Sequence, residues 1–139
     1  MLHEDGVAVA VFSPDSRRVA TGGEDAVARL WSVPEGQPLT PKMQHENKVT
    51  HLCFNQKGTL LATGTSKGHV RLWDARSGHP LMASYAFTSG IASMSFVKGA
   101  AAFIATGVDG SVRRWDLTPS RETLEELEAF AVKMGAGGP

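Results

Sequence analysis

The chain has one cysteine, Cys53, among its 139 residues, so no disulfide can form within it. It also has no charge of either sign in surplus. Fourteen basic and fourteen acidic side chains give a formal net charge of zero, and no Lys/Arg run supplies the basic stripe that phosphate recognition needs. Nucleic acid is therefore not expected as a partner. No apolar run approaches the ~20 residues of a membrane-spanning helix, so no membrane partner is expected either. The opening stretch MLHEDGVAVAVF has no basic segment and no small-residue cleavage site, which argues against a secretory signal. Cys53, in the apolar run VTHLCF, reads as a buried thiol, and a cytoplasmic location is the expectation. Metal-binding spacing is missing too. The five histidines (His3, His45, His51, His69 and His79) form no His-Glu-x-x-His, and there is no Cys-x-x-Cys. No glycine-rich segment leads into a helix bearing Lys-Ser/Thr, so no cofactor is expected.

What the chain has is repetition. Trp31, Trp73 and Trp115 are spaced 42 residues apart, and the text around them recurs as ATGGEDAVARLWS, ATGTSKGHVRLWD and ATGVDGSVRRWD. The same shift superimposes His3 on His45, Val7 on Val49 and Ile91, and Phe12 on Phe54 and Phe96. A period of ~40–45 residues containing several strand patterns predicts propeller blades, each a small four-stranded sheet.

The middle unit shows how one repeat is built. Val49–Phe54 is an apolar run, turned by Asn55-Gln56-Lys57-Gly58 into a second strand at 59–63. A reversal at 64–68 leads to a third strand at 69–73, with β-branched Val70 and aromatic Trp73. After Ala75-Arg76-Ser77-Gly78, residues 79–86 are predicted to form a more polar outer strand. The third unit departs from this plan. From Phe96 to Thr106 is one residue longer than from Phe12 to Thr21, and from Thr106 to Trp115 is one shorter than from Thr21 to Trp31, which reads as an offsetting insertion and deletion.

These features resemble the WD-repeat propeller family over residues 3–117. The resemblance implies an all-β fold of three blades, an open or incomplete propeller, divided at about 3–44, 45–86 and 87–117. It also implies that His, Thr, Asp and Trp of each blade form a structural hydrogen-bond network that gives the indole N–H a partner. In this numbering the sets are His3, Thr21, Asp25 and Trp31; then His45, Thr63 and Trp73, with Lys67 in the Asp position; then Thr106, Asp109 and Trp115, with Phe87 in the His position. With Lys67 there, the second network is expected to be water-mediated or absent.

Closed propellers need at least four blades, typically four to eight. Three consecutive repeats therefore imply either the C-terminal part of a larger WD-repeat protein, with a bacterial flavour to its text, or a homo-oligomer that completes a ring. Residues 118–134 read as a short amphipathic α-helix with Ser120 as N-cap, Leu124, Leu127, Ala131 and Met134 on one face, and Gly135 as its stop; residues 135–139 read as a flexible tail.

The implied function is a non-catalytic protein–protein interaction scaffold. Rim positions that WD-repeat proteins use for partners correspond here to Glu24, Thr50, His51, Ser66, Ala92, Ser93 and Val108, of which Glu24 and His51 are the chemically distinctive ones. One alternative is an enzyme. Gly64-Thr65-Ser66-Lys67-Gly68 spells the nucleophile-elbow pattern G-x-S-x-G, which would make Ser66 a hydrolase nucleophile. That motif needs a strand-to-helix turn. This one lies in a strand-to-strand reversal whose siblings, GGEDA and GVDGS, lack the serine.

Overall fold

A computed structural model describes residues 5–97 and 102–117. The expected helix at 118–134, the tail at 135–139 and His3 lie outside the described residues. The described residues contain strands and turns and no helix. The first antiparallel sheet runs β1 (Val7–Phe12), β2 (Arg18–Gly23), β3 (Val27–Ser32) and β4 (Met43–Gln44) in spatial order. The second repeats it with β5 (Val49–Phe54), β6 (Leu60–Thr65), β7 (His69–Asp74) and β8 (Tyr85–Ala86). The third has three strands, β9 (Ile91–Phe96), β10 (Ala102–Gly107) and β11 (Val112–Asp116).

Period-two alternation gives every blade two faces. In the first blade Ala20, Ala28 and Leu30 point toward the second blade, where Val49, Leu52, Leu61 and Trp73 meet them in one buried cluster. One period later Ala62, Val70 and Leu72 meet Ile91, Phe103, Ala105 and Trp115 in the next cluster. The core is therefore two apolar layers between three sheets, and the innermost strands bring the sheets together, β5 packing on β1 and β2, and β9 on β5 and β6. Glycine sets how closely they approach. A Cβ on Gly22 would lie 2.5 Å from Val49 Cγ1 of the next blade.

Turn chemistry recurs with the period. Asn55 Oδ1 accepts the N–H groups of Thr59 and Leu60 at 2.8 and 2.9 Å, and in the first blade Ser13 and Asp15 side chains hold the corresponding turn. The left-handed position of that turn is Ser16 (φ 61°) in the first blade and Gly58 (φ 72°) in the second.

Two expectations are corrected. The outer strand at 79–86 is broken into an isolated bridge between Trp73 and Pro80 and the two-residue β8; the first blade matches it with a bridge between Trp31 and Pro38 and the two-residue β4. Proline has no N–H to continue a ladder. The second correction concerns Thr106. Trp31 faces Val19 and Arg29 faces Thr21 in the first blade, and Trp73 faces Leu61 and Arg71 faces Thr63 in the second. In the third, Trp115 faces Phe103 and Arg113 faces Ala105, so Ala105 occupies the position of Thr21 and Thr63. The 42-residue register runs through without insertion or deletion, and Thr106 falls one residue on, on the opposite face.

Candidate functional site

The second-blade network is direct rather than water-mediated or absent. Trp73 Nε1 donates to Thr63 Oγ1 at 2.9 Å, and Thr63 Oγ1 lies 2.7 Å from His45 Nε2. His45 Nδ1 lies 2.8 Å from the Met43 carbonyl, which can only accept. The direction follows: Nδ1 carries the proton, and Nε2 accepts from the Thr63 hydroxyl, which itself accepts from the indole. Burial holds His45 at a pKa of about 4, with the Arg71 charge adding to the depression, so the ring is neutral at neutral pH. The Met43 carbonyl stands where an Asp carboxylate was expected to be needed. Lys67 is exposed, and the turn that an Asp would hold is held by Thr65, whose Oγ1 accepts the His69 N–H at 3.1 Å.

In the first blade Trp31 Nε1 donates to Thr21 Oγ1 at 2.9 Å, and Asp25 Oδ1 accepts the Val27 N–H at 3.2 Å. In the third, Trp115 is packed by aromatic rings, with Phe103 at 5.3 Å and Tyr85 at 5.7 Å between centroids. Phe87 keeps the backbone tie of the histidine it replaces: its N–H donates to the Gly68 carbonyl at 2.9 Å, as that of His45 donates to Ala26 at 2.8 Å. Thr106 Oγ1 instead lies 2.7 Å from Ser93 Oγ. Asp109 is held by Ser111, through Oγ at 2.6 Å and N–H at 3.0 Å, and by Thr88 at 3.2 Å. These hydrogen bonds, Ser111 foremost, lower its pKa to about 2.

The rim residues are brought together by inter-strand ties rather than by a shared chemical centre. Glu24 pairs with Lys48 at 2.9 Å and thereby links the first blade to the second. Thr50 Oγ1 lies 2.9 Å from His51 Nδ1, and burial lowers the His51 pKa. The N–H of Ser66 donates to the Lys48 carbonyl and that of Val108 to the Gly90 carbonyl, both at 2.9 Å. Ala92, Ser93 and Val108 are exposed. Ser66 is exposed in the β6–β7 turn, and among the described residues no histidine or carboxylate is hydrogen-bonded to it. Nor is there, among the described residues, a group of three His, Cys, Asp or Glu side chains arranged to hold a metal.

Two sets of arginines were missed in the sequence. Arg29, Arg71 and Arg113 each lie over the tryptophan two residues on, at 5.8, 5.9 and 5.7 Å from the ring centroid, and Arg113 also lies 3.7 Å from that of Tyr85. Their signal was present, as an Arg-x-Trp in every repeat. Arg18 had no such signal. It bridges the first two blades, and its counterparts one and two periods later are Leu60 and Ala102.

Comparison with known proteins agrees with this geometry. The family model described as the anaphase-promoting complex subunit 4 WD40 domain matches residues 25–99, and that of the WD domain, G-beta repeat, matches residues 2–32. Among curated proteins none matches significantly. Among solved structures, the computationally designed Ika4 protein aligns with a TM-score of 0.73 at 23% identity, over 83% of this chain and 68% of that one. U3-55K aligns at 0.75 and 22% identity over 84% of this chain and 38% of its own, and the RRP9 WD40 repeats at 0.73 and 22% over 84% and 37%. At such identities the likeness is one of fold. The chain spans little more than a third of the latter two structures.

Proposed function

Because the chain belongs to the WD40-repeat family, whose domains are generally protein-interaction scaffolds, we propose that it is a non-catalytic interaction module that works as consecutive blades of a larger propeller. The observation that carries this reading is the fate of the polar side chains that could do chemistry. The histidine, threonine and tryptophan side chains of the second blade hydrogen-bond one another in a closed chain, and Ser66 lacks a base among the described residues. What remains for recognition is a rim fixed by backbone ties at Ser66 and Val108 and by the Glu24–Lys48 pair. A cytoplasmic setting is part of the same proposal, supported by a single cysteine that forms no disulfide within the chain.

The test is affinity capture with the immobilised chain and with a Glu24→Lys, His51→Ala variant of unchanged melting temperature. A protein retained by the wild type and lost by the variant supports a partner-binding rim; identical retained sets exclude it. Self-association into a ring is the second reading of three blades, and the faces of the end blades bear on it directly.

A further inference from the structure

The two junctions between the described blades use matching apolar positions but differ in their polar parts. At the first, Val9 lies opposite Gly22 on the face turned to the second blade. One period later His51 lies opposite Gly64 on the face turned to the third. A Cβ on Gly64 would meet Met94 Sδ at 3.1 Å, His51 Cβ at 3.2 Å and Ile91 Cγ1 at 3.4 Å, so His51 stands in the junction beside two apolar side chains of the third blade. Cys53, two residues on along the same face, packs against the core layer that this junction closes.

The side-chain bridges of the first junction have no counterpart at the second. Where Glu24 pairs with Lys48 at 2.9 Å, the matching positions hold Ser66 and Gly90. Where Arg18 reaches the Ala75 carbonyl at 2.9 Å, the matching position holds Leu60. The second junction therefore relies on apolar packing, and a charge placed in it has little to offset it. Thr50 Oγ1 donates to the Gly64 carbonyl at 3.4 Å and lies 2.9 Å from His51 Nδ1, so the neutral ring donates from Nδ1 and a second proton goes to Nε2. No carboxylate faces that proton from a strand packed on β5. β1, β6 and β9 carry no ionisable side chain, and the one on β2, Arg18, is engaged with second-blade carbonyls. On β5 itself the other ionisable group is Cys53, whose thiol is pushed by burial up to about 12. The turns at the rim end add Lys48, paired with Glu24; exposed Lys67; and Asp109, held by Ser111 and Thr88. Burial of the ring disfavours its charged form, and opening the junction to water removes that penalty.

We propose that the junction between the second and third blades is an acid-sensitive seam: protonation of His51 loosens the packing of β9 on β5, while the first junction, with Val9 and its two bridges, holds. This conformational device needs no partner and goes beyond the scaffold reading. Its sign follows from the ring. In the closed junction His51 titrates below its ordinary value of 6.5, and it regains that value when the junction opens, so opening is suppressed above about pH 6.5 and promoted as pH falls below it. His45, neutral down to about 4, enters only in stronger acid.

Cys53, on the seam side of β5, reports the opening. The rate at which a dithiodipyridine modifies it in the full chain, divided by the rate in the urea-unfolded chain at the same pH, measures exposure of the thiol. In the wild type this ratio is expected to rise about fivefold or more from about pH 7.5 to about pH 5. In His51→Val, which installs the residue of the first junction, it is expected to stay within about twofold. A flat wild-type ratio, or an equal rise in His51→Val, overturns the proposal. So does a wild-type ratio that equals the unfolding equilibrium constant measured by denaturation at each pH, because the seam must open while the first blade stays folded. Should the valine variant misfold by circular dichroism, His51→Gln, which also cannot titrate, is read against the same two outcomes.

Discussion

Arg18 of the first blade donates through Nη1 to the carbonyl of Ala75 in the second, at 2.9 Å, while its Nη2 reaches the Gly58 carbonyl at 2.5 Å and its guanidinium lies 5.5 Å from the Phe54 ring centroid. One side chain thus ties two sheets together at two turns. Replacing it with methionine keeps much of the apolar stem and removes both charged hydrogen bonds. Arg18→Met is expected to cost about 1.5–3 kcal/mol in urea denaturation, with Arg18→Lys recovering only part. A loss below about 0.5 kcal/mol would show the bridge to be energetically idle.

Thr63 is the middle link of the second-blade chain and is fully buried. Thr63→Val preserves volume but strands the Trp73 indole N–H and His45 Nε2 together, an expected loss of about 2–4 kcal/mol, whereas Thr63→Ser should cost distinctly less. Equal denaturation midpoints for Val and Ser would contradict the hydrogen-bond assignment.

The His45 ring is neutral in the fold at a pKa of about 4, against an ordinary value of 6.5. The unfolded chain therefore binds a proton first as pH falls. Stability is full above about pH 6.5, declines through the window down to about 4, and is lower by about 3 kcal/mol from this group below it. His51, depressed by burial in the same direction, adds to the slope. The measurement is the denaturation free energy across pH 7.5 to 4 for wild type and His45→Gln; an undiminished slope in the variant would assign the dependence elsewhere.

Ala26 adopts φ 64°, where the same turn in the other blades has Gly68 and Gly110 at 84° and 91°. An alanine in the left-handed region carries a cost that glycine avoids, partly offset by the greater freedom of glycine in the unfolded chain. Ala26→Gly is expected to stabilise by about 0.5–1 kcal/mol, read as a raised melting temperature. A lowered one would mean that the alanine methyl contributes more than the backbone loses.

The 42-residue spacing of the tryptophans carries most of the architecture, because the period survives into strand register from Phe12 against Val19 to Phe96 against Phe103. The Trp–Thr pairs of the first two blades were legible through the resemblance to the WD-repeat family rather than through the spacing itself. Thr106 differs because the Ala-Thr-Gly text recurs in all three repeats without fixing register, and strand pairing puts Ala105 in the core instead. The Met43 carbonyl as partner of His45 was not legible, since a backbone acceptor leaves no mark in side-chain identity. The Arg18 bridge likewise joins residues 57 positions apart, with no repeat to announce it.

Pro38 and Pro80 leave each four-stranded blade with an outer margin of one bridge and a two-residue strand. A free peptide looking for a ladder to extend finds few consecutive donors and acceptors there, and none that run the length of the sheet. On the outer side of the first two blades, crowded copies of the chain thereby find no full-length edge from which a cross-β polymer could grow.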